Sequence, residues 1–543
     1  MPRYSCLLAT ALAFQTFTHS LAVLAAISGN GFEPIVNLGY ASYRGSTDAV
    51  SNITQFLGIR YAAPPTAGVS RFQSPKPPAK TGGVQNATSY PPQCFQALSF
   101  GTSSTSSFRK RQMEPTNTSE DCLFLDVVVP NYDTHTAKAL PVIVWIHSGG
   151  YISGNVSMFG QTDLTVDSNN QVITVLIQYR LGAFGFLAGP VVQERGALNS
   201  GLLDQNFALQ WVQKYVSLIS FGGDPAQVTI WGESVGAGSV LQHIVAHGGH
   251  TEPPLFRAAI TSSIFQPSQY VADGIVPSTL YNDITNLTGC FNVSDSFGCL
   301  VNVDAEILND ANIQINTQSF YGTYTFVPVV DGQFIIERPS VTLKSGTVNG
   351  EIVLSTTNTF EGRFFTLTSV TNTTEYTKQL FPLLSGPQAE EVASGYAAFT
   401  NVLPTPYDQA IAIMGESIFI CPTYSLLRAF NGRSWKGEFA IPPGNHGDDI
   451  YYYFTSFGAM FNNTEFVDSF SQSFIDLVLS LNPNTKFETD NRTPHWDRWS
   501  INNSEMLFNK TDTNETDIKA TITDAGLLKR CELWENVSAQ TGH

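Results

Sequence analysis

Positive charge is scarce in this 543-residue chain: 28 lysines and arginines stand against 45 aspartates and glutamates, for a formal net charge of −17. Binding a phosphate backbone needs clustered Lys and Arg. The only short basic run, Arg109-Lys110-Arg111, sits in a Ser/Thr-rich stretch and reads as a solvated loop rather than a processing site, so nucleic acid is excluded as a partner. The same shortage leaves no basic anchor for an anionic membrane. No Pro/Ser-rich linker, run of like charge or internal repeat divides the chain either. Length alone would allow roughly two to four domains, but without a linker the expectation is one domain over residues 27–543. An unbroken apolar span is missing at the N-terminus too. Arg3, an apolar run from Cys6 to Phe14 and small residues at Ser20, Ala22 and Ala26 are interrupted by Gln15, Thr16, Thr18 and His19. A bilayer span needs about 20 apolar residues, so residues 1–26 read as a secretory signal, cleaved between about residues 20 and 26. The protein is expected to be secreted, with no stable membrane anchor.

Cysteine is sparse but even in number once the signal is removed. Cys6 lies in the signal, leaving Cys94, Cys122, Cys290, Cys299, Cys421 and Cys531, and an even set in a secreted chain implies disulfides. Six cysteines allow 15 pairings, of which proximity favours Cys290 with Cys299. Asn-x-Ser/Thr triplets headed by Asn52, Asn86, Asn117, Asn286, Asn292, Asn372, Asn462, Asn502, Asn509, Asn514 and Asn536 are glycosylation candidates that agree with secretion; Asn155 and Asn491 head triplets as well.

What is present in quantity is buried-strand sequence. Leu125–Val129, Leu140–Ile146 and Val172–Ile177 are continuous Val/Ile-rich runs, the mark of strands covered on both faces and hence of a mainly parallel sheet. Leu203–Val216 has helical spacing, and strands alternating with helices predict an α/β protein with a large twisted central sheet. Gly39–Gly45 and Thr54–Ala62 predict a small N-terminal sheet, and Phe95–Glu120, serine-rich and without periodicity, predicts a loop. After Ser234 the chain reads as the helix Gly238–Ala246 and then a mostly helical and irregular middle, up to the strand Glu351–Ser355.

The stretch Val228-Thr-Ile-Trp-Gly-Glu-Ser-Val-Gly-Ala-Gly238 runs from a β-branched strand into Ser234, flanked by Gly232 and Gly236. That pattern fits a sharp strand-to-helix turn which pushes the hydroxyl outward. A serine hydroxyl is a poor nucleophile until a histidine takes its proton and an acid orients that histidine. Among later histidines, His243, His247 and His250 lie on or just past the helix leaving the serine, and His543 is terminal. His495, in Pro-His-Trp-Asp-Arg-Trp, reads as a packing residue, whereas His446 sits in a Gly-Asn-His-Gly-Asp loop and is the candidate base. Glu361 follows directly on the Ile352-Val-Leu strand, at the strand end where such sheets place their sites. It is preferred as the acid to Asp331, a turn aspartate, and to Asp448 and Asp449, which are too close to His446 in sequence. Gly149 and Gly150 follow another buried strand, and with Val235 they offer N–H donors for an oxyanion. His243 and His247 are spaced as metal ligands can be, but the glutamate of the zinc-protease pattern is missing, and no metal or other cofactor is expected.

Taken together, Phe56–Ala62, Ser119-Glu-Asp-Cys-Leu-Phe-Leu-Asp126, Trp145–Gly150, Gln178–Phe186, Gly201–Gln205, Phe221-Gly-Gly-Asp-Pro225, the serine motif and His446-Gly-Asp resemble the type-B carboxylesterase/lipase family, which includes the cholinesterases, over nearly the whole mature chain. The resemblance implies an α/β-hydrolase fold and ester hydrolysis on a small-molecule ester through Ser234, His446 and Glu361, with an oxyanion hole from the N–H groups of Gly149, Gly150 and Val235. It also implies the pairs Cys94–Cys122, Cys290–Cys299 and, like a third bridge of cholinesterase-like members, Cys421–Cys531. The chain departs from the family in three places: Ser148 stands where many members have a first glycine, Val235 replaces an alanine, and the segment entering Phe221 is two residues longer. Val235 is expected to narrow the pocket while keeping its N–H. Asn155, close to the glycine loop, is expected to stay unmodified if it faces the site. The first disulfide loop is polar where lipases of the family carry an apolar flap, which favours soluble or short-to-medium-chain esters over triacylglycerol. Inactive adhesion members of the family lack a triad residue that this chain keeps.

Overall fold

A computed structural model describes residues 34–97, 117–132, 139–217 and 220–543. The expected signal, Lys110-Arg111 and most of the serine-rich loop lie outside them. The strands are β1 (Ile35–Asn37), β2 (Ser42–Arg44), β3 (Ser46–Asp48), β4 (Ile53–Arg60), β5 (Val84–Asn86), β6 (Phe124–Pro130), β7 (Leu140–Ile146), β8 (Ile173–Ile177), β9 (Gly223–Glu233), β10 (Ala258–Ser262), β11 (Ile352–Asn358), β12 (Ser434–Phe439), β13 (Ser504–Lys510) and β14 (Thr516–Ile522). Eleven of them form one sheet in the order β14-β13-β12-β11-β10-β9-β7-β8-β6-β4-β3. From β8 to β13 neighbouring strands run parallel, and antiparallel strands close both edges. This is the α/β-hydrolase arrangement that the resemblance implies.

Burial on both faces explains the unbroken apolar runs. Along β7, Val142, Val144 and Ile146 enter one hydrophobic core while Ile143 and Trp145 enter another on the opposite face. The period of two along a strand thus feeds two cores at once. Helix α1 (Ser200–Tyr215), which leads toward β9, and helix α2 (Val235–Gly249), which leaves it, lie where the sequence places them.

Two expectations need correction. The small N-terminal sheet exists, but it is β1-β2-β5; the predicted strand Thr54–Ala62 instead becomes β4 and pairs with β6 in the large sheet, where Ile53, Phe56 and Ile59 are fully buried. The middle read as mostly helical contains β10, whose Ala-Ala-Ile-Thr-Ser sequence is wholly buried yet too short and too small-sided to give a periodic signal.

Among the described residues one helical run, Pro406–Ala429, is long and apolar enough to cross a membrane, and 83% of its apolar window is buried inside the protein. It widens into a π-helical turn at Glu416–Ile420. Disulfides join Cys94 to Cys122, Cys290 to Cys299 and Cys421 to Cys531. The last ties this helical run to the C-terminal helix Ala525–Thr541, beside the buried Glu416–Arg530 ion pair.

Candidate active site

β9 ends at Glu233, α2 begins at Val235, and Ser234 between them has φ 56° and ψ −121°, a conformation that L residues rarely hold and the sharp strand-to-helix turn that the sequence predicts. The flanking glycines are fixed by close approach. A Cβ on Gly232 would lie 2.4 Å from the Gly236 carbonyl carbon, and one on Gly236 would lie 2.1 Å from the Ile146 carbonyl oxygen. The turn is pinned from the next strand over, since the Ser234 N–H donates to the Ser262 carbonyl (2.9 Å) and the Phe265 N–H donates to the Ser234 carbonyl (3.2 Å).

The candidate base and acid follow the two strands beyond. β11 and β12 are parallel neighbours, so the segments leaving their C-terminal ends emerge side by side. A bridge between Phe360 and Asn445 puts the next residue on each, Glu361 and His446, in contact. His446 Nδ1 lies 2.6 Å from Glu361 Oε2, and His446 Nε2 lies 2.8 Å from Ser234 Oγ. The other carboxylate oxygen, Glu361 Oε1, accepts from Ser263 Oγ at 2.7 Å and from the Asn358 N–H at 2.6 Å. Every oxygen of Glu361 is therefore committed, and the imidazole is held with Nε2 toward the serine.

These groups lie in a nearly dry setting. His446 is 9% exposed, Glu361 1% and Glu233 2%, and the rings of Phe419 and Phe365 stand 4.4 and 5.2 Å from that of His446. Burial pulls the His446 pKa down, but Glu361, by charge and by hydrogen bond, followed by Glu233 and Asp449, outweighs it, so the net direction is upward. Burial also pushes Glu233 up to about 7 and Asp449 up to about 6. Three carboxylates thus surround one titratable ring.

Beside the serine turn runs the segment after β7, His147 to Gly150, whose backbone the Gly236 position abuts. Tyr324 packs over Gly150, where a Cβ would come 2.1 Å from its ring. Tyr324 also lines an apolar cavity of about 280 Å³, together with Phe265, Phe186, Phe326, Met414 and Ile418. Val235, the first residue of α2, is fully buried, and its N–H is one of those that a helix's first turn leaves without an intrahelical partner.

A sequence model described as the carboxylesterase family matches residues 33–534. The chain belongs to the carboxylesterase family. It is a carboxylic ester hydrolase. Among curated relatives it is 30% identical to Lipase 2 of Diutina rugosa, over 76% of this chain and 82% of that one. It is 28% identical to Carboxylesterase patB of Aspergillus clavatus, over 93% and 96%. The crystal structure of Aspergillus niger EstA superposes with a TM-score of 0.82 at 28% identity, covering 95% of this chain and 100% of that one.

In this carboxylesterase the alternative histidines sit elsewhere. His243 Nε2 lies 3.1 Å from Gln205 Oε1, and His247 Nδ1 lies 2.9 Å from Thr251 Oγ1. His495 is not a packing residue: its side chain is 74% exposed beside Asp497, and it is the adjacent Trp496 that is buried. Asp331 caps a turn, accepting from the N–H groups of Gln333 and Ile335. Asn155 and Asn491 are each 3% exposed, whereas the eleven glycosylation candidates are exposed or half-buried. Sequence reasoning missed Ser263 and Asn358 as supports for Glu361, and gave no role to Glu233. Ser263 carried no signal of its own, because it follows β10, the strand that the sequence pattern does not reveal.

Proposed function

We propose that this carboxylesterase is a secreted glycoprotein that hydrolyses soluble or short-to-medium-chain esters through an acyl-enzyme on Ser234. The observation that carries the reading is the continuous chain Glu361 Oε2–His446 Nδ1 and His446 Nε2–Ser234 Oγ at 2.6 and 2.8 Å. Ser234 Oγ attacks the ester carbonyl carbon as His446 Nε2 takes its proton, and the carbonyl π electrons move onto oxygen. The N–H groups of Gly149, Gly150 and Val235 hold that oxyanion. Collapse reforms the carbonyl and expels the alcohol, which leaves with the proton from His446. Water, deprotonated by the same nitrogen, then cleaves the acyl-serine and releases the acid. Glu361 fixes the ring's tautomer and stabilises the imidazolium without taking the proton.

The preference for smaller esters draws support from the first disulfide loop, whose polar, serine-rich sequence offers little apolar surface to a lipid interface. Secretion and glycosylation draw support from the disulfides, the exposed triplets and the signal-like N-terminus. Ser234→Ala is expected to leave a folded protein with turnover of a soluble p-nitrophenyl ester near background; retained turnover would overturn the assignment. Wild-type rates on that ester are expected to exceed those on a triacylglycerol emulsion, and strong activation at the emulsion surface would reverse the substrate preference.

A further inference from the structure

The glycine loop of this chain carries a hydroxyl. Ser148 Oγ donates to Glu233 Oε2 in a short contact, while the other oxygen, Glu233 Oε1, lies 3.4 Å from His446 Nε2. The loop carrying His446 comes close to this carboxylate because residue 447 is glycine: a Cβ there would lie 3.3 Å from Glu233 Oε1. Ser148 is itself 2% exposed, and it sits at the end of β7 directly beside the serine turn.

We propose that Ser148 is a positioning residue whose hydroxyl holds Glu233 with one oxygen facing His446 Nε2, making Glu233 a second carboxylate that stabilises the imidazolium formed when His446 takes the Ser234 proton. The proposal rests on Ser234 and His446 acting as nucleophile and base. Glu361 reaches only Nδ1; the charge that appears at Nε2 has Glu233 as its nearest anion, in a site where water does not screen it. Hydrogen bonds to a carboxylate favour its ionised form. The groups facing Glu233 are His446 and Asp449 from the segment after β12 and Glu361 from the segment after β11. Ser148 comes from the segment after β7, whose adjacent His147 is turned away onto Tyr179 and kept uncharged, with its pKa lowered to about 4 by burial. Among the described residues, His446 is the only ion-pair partner of Glu233. Burial and the two neighbouring carboxylates resist ionisation of Glu233, and Ser148 opposes them.

The test is the pH profile of kcat/KM on a soluble p-nitrophenyl ester for wild type, Ser148→Ala, Ser148→Thr, Glu233→Gln and the double variant Ser148→Ala/Glu233→Gln. Productive enzyme requires both His446 and Glu233 unprotonated, so the wild-type acid limb should fall with a slope approaching two, and that of Glu233→Gln with a slope of one. Ser148→Ala should move the limb up by about one pH unit, the size of one lost hydrogen bond to a charged group, a roughly tenfold loss on the acid side. Ser148→Thr, which keeps the donor, should restore it, and in the Glu233→Gln background the alanine should shift nothing. A wild-type slope of one left unchanged by Glu233→Gln overturns the proposal, whether or not Ser148→Ala folds. So does a Ser148→Ala limb at the wild-type position, or a shift that persists without the carboxylate. If instead Ser234 takes no fluorophosphonate label in the wild type, the triad reading has failed and this proposal falls with it.

Discussion

His446 and His243 are both buried imidazoles, 9% and 2% exposed, yet their protonation is pushed in opposite directions. Burial lowers both. Around His243 nothing offsets it: the partner is the neutral amide of Gln205, the nearby ring is Phe334 and the neighbouring His247 adds repulsion, so the pKa falls to about 3. Around His446 stand Glu361, Glu233 and Asp449, and the shift is upward. A third kind of buried charge sharpens the contrast. Arg180 and Arg530 meet Asp204 and Glu416 in multidentate pairs, but a guanidinium never gives up its proton, so those pairs hold structure and move nothing. Burial silences an imidazole; carboxylates directed at it make it a proton acceptor.

The comparison breaks most directly at Glu361. Glu361→Gln gives His446 an amide neighbour like that of His243, and kcat on a soluble ester should fall on the order of 10³- to 10⁴-fold with the fold intact. As the proposed base, His446 must be unprotonated to act, and its pKa is raised, so the wild-type acid limb of kcat/KM should lie above the 6.5 of an ordinary histidine; in Glu361→Gln it should drop. A loss of less than tenfold would mean that the carboxylate does not set the base. Next in size, Asp204→Asn strands the Arg180 charge in a buried site and should lower the free energy of unfolding in urea by about 3–5 kcal/mol, while the folded fraction keeps the wild-type acid limb. The smallest effect belongs to His243→Leu, which deprives Gln205 Oε1 of its donor at about 1–3 kcal/mol with kcat unchanged. His243 binds its proton only after unfolding at any pH between about 3 and 6.5. It therefore subtracts stability as pH falls below 6.5, and the leucine variant should lose stability less steeply across that window.

Much of the proposed triad was legible in the sequence: Ser234 and Glu361 each follow a buried strand, and His446 sits in a polar Gly-Asn-His-Gly-Asp loop. The β-branched run into Gly232-Glu-Ser234 points to the candidate nucleophile and the Ile352-Val-Leu run to Glu361, whereas the strand before His446, β12, was not read in the sequence and shows itself only by pairing with β11. The supports were less legible because they depend on neighbours in space. Ser263 and Asn358 are ordinary polar residues until β10 and β11 lie side by side. Asp449, set aside as too close to His446 to orient its ring, does not orient it: it hydrogen-bonds Asn358 Nδ2 at 3.0 Å and acts on the imidazole by charge. The misplacement of β4 has a similar cause, since alternation along a strand does not say which sheet it joins.

The most direct test of the central claim is covalent labelling by a fluorophosphonate, with the modified peptide located by mass spectrometry in wild type and in His446→Ala. Labelling of Ser234 at one per chain in wild type, and its loss in the folded alanine variant, is the expected result. Label on another residue, or equal labelling of Ser234 without His446, would contradict it.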